Sequence, residues 1–171
     1  MKEAQVNEAL MQYAKPEPVV FVISGTFEKP NIMPCGWSMR TSFMPPLFAV
    51  SIGLERFTHK LIVAHKEFAV AFPSETMKDL VSDLASCSGS SCDKFEKYKI
   101  VPVMKGKRVN LPLLEKAFLN LECVLDSYHD TGDHTIFVGK VQAAWKGEGN
   151  QVLMNMGKMD FQAFTPLISD K

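Results

Sequence analysis

Neither sign of charge is in excess in this 171-residue chain: 19 Lys plus Arg stand against 19 Asp plus Glu, for a formal net charge of zero. That balance argues against nucleic acid or an anionic membrane as the main partner, because both reward a basic surface. Long hydrophobic runs are missing too. The longest, Phe43–Leu54, is interrupted by Pro45 and Pro46 and is too short to cross a bilayer. The opening MKEAQVNEALMQYAKPEP mixes charged with apolar residues and lacks the uninterrupted block of a targeting signal. A cytoplasmic protein without a membrane partner is the expectation. The common catalytic signatures are absent: no GxGxxG, no GxxxxGK[ST], no GxSxG and no HExxH. A Rossmann-type nucleotide site and a P-loop are therefore not expected, and a Ser-His-Asp triad has no local support. Cysteine is sparse, at positions 35, 87, 92 and 123, with neither CxxC nor zinc-finger spacing, so no metal site is expected.

What is present is a chain that is 46% hydrophobic, enough for one packed domain over residues 1–171. Glu3–Tyr13 has Val6, Leu10 and Met11 on one side of a short amphipathic helix, which Pro16 and Pro18 end. Val19–Ser24 is a β-branched run of strand length. Asn31–Met39 reads as extended, and Leu47–Leu54 alternates Phe48, Val50 and Ile52 against Leu47, Ala49 and Ser51. A helix over Thr58–His65 precedes a strand at Glu67–Phe72. Met77, Leu80, Val81 and Leu84 repeat at helical spacing, with Ser74 or Thr76 as the cap. A further helical turn is read at Asp93–Tyr98. The strand pattern returns from Leu113, with Leu119, Leu121, Cys123 and Leu125 alternating, and again over His134–Trp145 after the turn formers of Ser127–Asp133, with a short strand at Val152–Met154. Strands joined by tight turns, with helices inserted, predict a mainly β (α+β) protein: an antiparallel sheet or small barrel with short helical insertions.

Two segments carry the polar groups a ligand would need. Pro30–Gly53 joins two apolar strands yet holds Cys35, Trp37, Ser38, Arg40, Thr41 and Ser42, and Gly36 allows close approach of a ring to the backbone. A plain strand–loop–strand with a buried Trp explains the same residues. Leu54–His65 places Arg56, Thr58, His59 and Lys60 at a helix start, where free N–H groups and the macrodipole favour a phosphate. The alternative is an ordinary Thr58 cap, and a pyridoxal phosphate or haem would suit such a site as well. The basic run Lys94, Lys97, Lys99, Lys105, Lys107 and Arg108 reads as a solvated face. Cys123 alternates with core positions. Cys87 and Cys92 fit either small fillers or a thiol pair able to close a short loop.

The order of these blocks resembles the flavin reductase-like family. The blocks are PVVFVIS, NIMPCGWSM, SFMPPLFAVSIG, RFTHKLI followed by EFAV, SGSSCDKFE and GDHTIFVG. The resemblance implies a Greek-key split β-barrel that binds FMN, and a homodimer with the flavin near the subunit boundary. It implies that Gly36, Trp37, Ser38 and Met39 flank the isoalloxazine, with Cys35 in the same stretch and Thr41 and Ser42 adding polar contacts. Arg56, Thr58 and His59 would hold the phosphate, and Ser88, Gly89 and Lys94 would lie near the cofactor or the boundary. His134 would stand where a nicotinamide approaches. The implied activity is NAD(P)H-dependent reduction of flavin or ferric complexes through bound FMN, with NADH or NADPH as reductant. A flavoredoxin-like carrier fed by a redox protein partner is the alternative.

Overall fold

The computed structural model describes residues 3–102 and 104–167. In chain order the elements are α1 (Val6–Glu8), continued by a π-helical stretch at Ala9–Tyr13, then β1 (Glu17–Pro18), β2 (Val20–Gly25), β3 (Pro30–Cys35), β4 (Ser38–Ser42) and β5 (Leu47–Gly53). Next come α2 (Phe57–His65), β6 (Glu67–Phe72), a 3-10 turn at Glu75–Met77, α3 (Lys78–Ala85) and α4 (Lys94–Lys97). The remainder is β7 (Met104–Lys105), β8 (Pro112–Leu113), β9 (Leu119–Thr131), β10 (His134–Lys146), β11 (Val152–Gly157) and β12 (Asp160–Phe164).

One antiparallel sheet runs β3-β2-β6-β9-β10-β5-β4. Its edge strands, β3 and β4, are consecutive in the chain and joined only through Gly36 and Trp37. The sheet therefore curls until its edges meet at that turn, and no ladder between β3 and β4 closes it among the described residues. The thiol of Cys35 lies 3.4 Å from the Trp37 carbonyl and 3.7 Å from that of Ser51, across the split. Read around the curl, β2 to β5 are successive. Helix α2 then carries the chain back so that β6 pairs with β2, which is a Greek-key return.

Alternation explains why β2 is apolar at nearly every position. Val20 and Val22 face a cluster built from the sheet itself, with Phe48, Val50, Ile52, Phe68, Val70, Leu121 and Phe137. Val19, Phe21 and Ile23 face the opposite way, onto Val81 and Leu84 of α3, Phe95 of α4, and Leu153 and Phe161 of β11 and β12. Both faces of the strand are covered, so both must be apolar. Phe21, Phe68 and Phe137 are completely buried, each contributing about 1.5–3 kcal/mol at most through area removed from water.

Four local expectations are corrected. Asn31–Met39 is two strands, because Gly36 and Trp37 turn the chain. The Ser127–Asp133 turn shrinks to Gly132 (φ 62°) and Asp133, since β9 goes on pairing with β10 up to Thr131↔His134. Turn-forming side chains are tolerated there because the strand tip is exposed and only its backbone is needed. Ser74 stands at the start of the 3-10 turn, but its hydroxyl donates to the Lys116 carbonyl at 2.6 Å instead of capping. The amphipathic N-terminal segment does wind helically, yet Val6, Leu10 and Met11 are exposed. No helix among the described residues is long and apolar enough to cross a membrane.

Candidate functional site

The split of the sheet is where five elements end. The C-terminal ends of β3 and β5, the N-terminus of α2, the C-terminus of α3 with its following loop, and the first residue of β10 enclose a cleft of about 550 Å³. Such a volume suits a nucleotide-sized ligand. Strand ends with exposed backbone and helix termini with unsatisfied groups meet here, so polar atoms are available without breaking any ladder.

At one end of the cleft is α2. Arg56 occupies its N-cap position in extended conformation (φ −73°, ψ 137°), and no side chain caps the first turn. His59 N–H donates back to the Arg56 carbonyl at 3.1 Å, so the N–H groups of Phe57 and Thr58 and the positive end of the macrodipole are left for a ligand in the cleft. Thr58, the second residue of α2, is buried, and its hydroxyl accepts from Asn31 Nδ2 at 2.8 Å. The same amide reaches Ser24 Oγ at 3.1 Å. Gly89 presses onto this cluster: a Cβ there would lie 1.9 Å from Asn31 Oδ1, so only glycine fits. Thr58 is therefore a buried hydrogen-bond partner and not the cap.

Lys94 is the second cation. Asp93 starts α4 by accepting the Glu96 N–H at 3.0 Å, and this turns Lys94 inward. The residue is 4% exposed and lines the cleft, where its ammonium donates to the Leu84 carbonyl at 2.7 Å. Burial pulls its pKa down from the usual lysine value, and the Arg56 charge adds to that lowering. Among the described residues no carboxylate forms an ion pair with Lys94 or Arg56. Lys94 therefore departs from the solvated-face reading of the basic run. Glu17, also in the wall, is already paired with Lys15 and accepts from Asn155 at 3.0 Å.

The far rim is aromatic. Trp37 is 46% exposed, not buried, with its ring 4.6 Å from the His134 ring at a 43° tilt. His134 Nδ1 is 2.6 Å from Asp133 Oδ1, and the hydrogen bond and charge of His134 hold that carboxyl below its ordinary value. His134 is thus both a strand-end histidine tied to the turn and a wall of the cleft.

Of the residues singled out from the sequence, Cys35, Gly36, Trp37, Arg56, Thr58, Ser88, Gly89, Lys94 and His134 line this one cleft. Ser38, Met39, Thr41 and Ser42 do not; they lie along the edge strand β4, whose register shift between Arg40 and Ser42 leaves Thr41 outside the ladder. His59 also faces elsewhere. Its Nε2 is 2.9 Å from Thr135 Oγ1, whose proton goes to Asp130 Oδ1 at 2.7 Å, and its ring packs edge-on against Phe137. Asn31, Glu17, Ser51 and Ser86 line the cleft without having been singled out. Asn31 had a signal, since a polar residue opening an apolar strand must find buried partners. The other three had none.

With the geometry in place, comparison with known proteins is decisive on one point. The family description "Flavin reductase like domain" matches residues 12–162. The chain belongs to the flavin reductase-like family. It is 37% identical to an uncharacterized protein of Archaeoglobus fulgidus over 149 residues, 86% of this chain and 81% of the relative. It is 28% identical to the NADH-dependent FAD reductase of Streptomyces globisporus, covering 86% of this chain and 79% of that one. The crystal structure of an FMN-binding protein from Thermus thermophilus, with bound 1-cyclohex-2-enone, superposes with a TM-score of 0.84 at 30% identity, over 100% of this chain and 99% of that one.

Proposed function

We propose that residues 1–171 form one FMN-binding domain of an oxidoreductase that takes hydride from NADH or NADPH and passes electrons to free flavin or ferric complexes. The observation that carries this reading is the pairing of Arg56 and Lys94, two cations without a carboxylate, with the uncapped start of α2 at one cleft. An anion would complete such a site, and a phosphate monoester suits it in charge and in acceptor number. The aromatic rim supplies what a flat ring needs, and Gly36 keeps the wall low at Trp37. The proteins named above include, by name, an FAD reductase and an FMN-binding protein, which supports a flavin as the ligand.

The residues divide the work. Arg56, Lys94 and the first turn of α2 hold the phosphate; Ser88 and Gly89 shape the wall behind it. Trp37 and His134 border the open side, where a nicotinamide would arrive, and Asp133 holds the His134 ring by its Nδ1. Bound flavin supplies the hydride-accepting N5, so the polypeptide needs no catalytic dyad or triad. Ser38, Met39, Thr41 and Ser42 join this site only through a second copy. Met39, Phe43 and Met44 on that edge are 59%, 80% and 93% exposed, which supports a homodimer formed there.

The test is spectroscopic. Apoprotein titrated with FMN should quench flavin fluorescence at one site per chain, and anaerobic NADH or NADPH should then bleach the bound flavin. Absence of FMN binding overturns the reading. FMN binding without bleaching by either nicotinamide replaces the reductase with an electron carrier fed by a redox protein. Sedimentation at micromolar concentration checks the dimer.

A further inference from the structure

The loop between α3 and α4 contains a feature that flavin chemistry does not use. Cys87 and Cys92 are separated by four residues, and their sulfurs lie 2.7 Å apart. Their approach is imposed by the loop. The Cys92 and Ser91 N–H groups both donate to the Ser88 carbonyl, at 3.2 and 3.1 Å, which folds the chain back on itself. At its ends the loop is anchored by Ser86 N–H to Asp83 carbonyl at 3.1 Å and by the Asp93 cap of α4. Both thiols are half-buried, whereas Cys35 and Cys123 are buried in apolar surroundings. Cys87 lines the cleft beside Ser88 and Gly89.

We propose that Cys87 and Cys92 form a redox-active dithiol that exchanges with low-molecular-weight disulfides, a second redox site in the wall of the cleft. The Cys87 thiolate attacks one sulfur of the external disulfide, its S–S bond breaks, and one thiolate leaves and takes up a proton. Cys92 loses its proton and attacks the Cys87 sulfur of the mixed disulfide, which expels the second thiol. The two cysteines together give up two electrons and two protons, and the external disulfide becomes two thiols. The order of attack follows the surroundings. The hydrogen bond from Cys92 lowers the Cys87 pKa, with Lys97 and Lys94 adding to it, and the same contact raises that of Cys92. Bridging brings the sulfurs from 2.7 Å to a bond of about 2.05 Å. The ring closed is short, so it removes less chain entropy than a bridge across a long loop. Burial lifts the Cys35 and Cys123 thiols to about 11 and about 12, which leaves them inert at neutral pH.

The experiment is thiol counting on the native chain after exposure to oxidised glutathione, followed by acid quench, denaturing alkylation and intact-mass measurement. Alkylatable thiols should fall from four to two, with no retained glutathione and a mass two hydrogens below that calculated for the reduced chain carrying two alkyl groups. Reduction should restore all four, and peptide mapping should place the change at Cys87 and Cys92. In Cys92→Ser the reaction should stop at one glutathione adduct on Cys87. Four alkylated thiols throughout, a chain-to-chain bridge, or no adduct in Cys92→Ser would each overturn the proposal. The readout needs no flavin, so its failure is separate from failure of FMN binding.

Discussion

Glu122 and Lys94 are both charged and both buried, yet they are treated in opposite ways. The Glu122 carboxylate accepts from the backbone N–H groups of Lys107 (3.2 Å), Arg108 (2.5 Å) and Val109 (3.0 Å) and from Trp145 Nε1 (2.6 Å). Every acceptor position is filled by the protein. Burial raises its pKa, but these donors outweigh that effect, and the group stays below its ordinary value. Lys94 donates only to Leu84 among the described residues and shares its cleft with Arg56. A charge saturated by its own chain serves the fold; a charge left with spare donors beside a cavity serves a ligand.

The contrast breaks most sharply at Glu122. Glu122→Ala strips four donors of their acceptor inside the protein and should cost about 3–5 kcal/mol in urea unfolding. FMN affinity of the fraction still folded should not change. A loss below about 1 kcal/mol would mean that water replaces the carboxylate. The pH dependence has a definite sign. The folded pKa is lowered, so the contribution is present above the unfolded value near 4.3 and is lost as pH falls through the folded one. Acid titration of stability should therefore be flatter in the Ala variant.

Next in size is Arg56→Ala. It should weaken FMN binding by about 1.5–3 kcal/mol, roughly 10- to 150-fold, with stability changed by less than about 0.5 kcal/mol. Lys94→Met sharpens the comparison, because it should weaken FMN binding while leaving stability equal or higher; a large loss of stability would make Lys94 structural like Glu122. The smallest effect is expected at Thr58→Val. It removes the Asn31 bond and should cost about 1 kcal/mol of stability, measured by thermal unfolding.

Much of the fold was legible because it depends on local alternation. Val20–Gly25, Leu47–Gly53 and Glu67–Phe72 fall where the apolar patterns lie, and the spacing of Met77, Leu80, Val81 and Leu84 becomes the 3-10 turn and α3. β12 was not legible. Its Phe161 is buried only because the strand pairs with β11. The site was half legible. Polar residues at strand and helix starts marked Arg56, Thr58 and the Cys35–Trp37 stretch, though not its turn, and nothing local told Thr58 from His59. One faces Asn31 and the cleft, and its neighbour turns toward Thr135.

The alternation in β2 and the neutrality of the chain are written in residue order alone, since side-chain direction and charge are local properties. Which cation is buried is not. Lys94 and Lys97 stand in the same single-turn helix with similar neighbours, yet Lys94 is 4% exposed and Lys97 lies over the Tyr98 ring in solvent. The meeting of Arg56 with Lys94 likewise required the curl of the sheet and the packing of α3 and α4 against it. Burial is set by what covers a residue, and here that cover comes from elements distant in the chain.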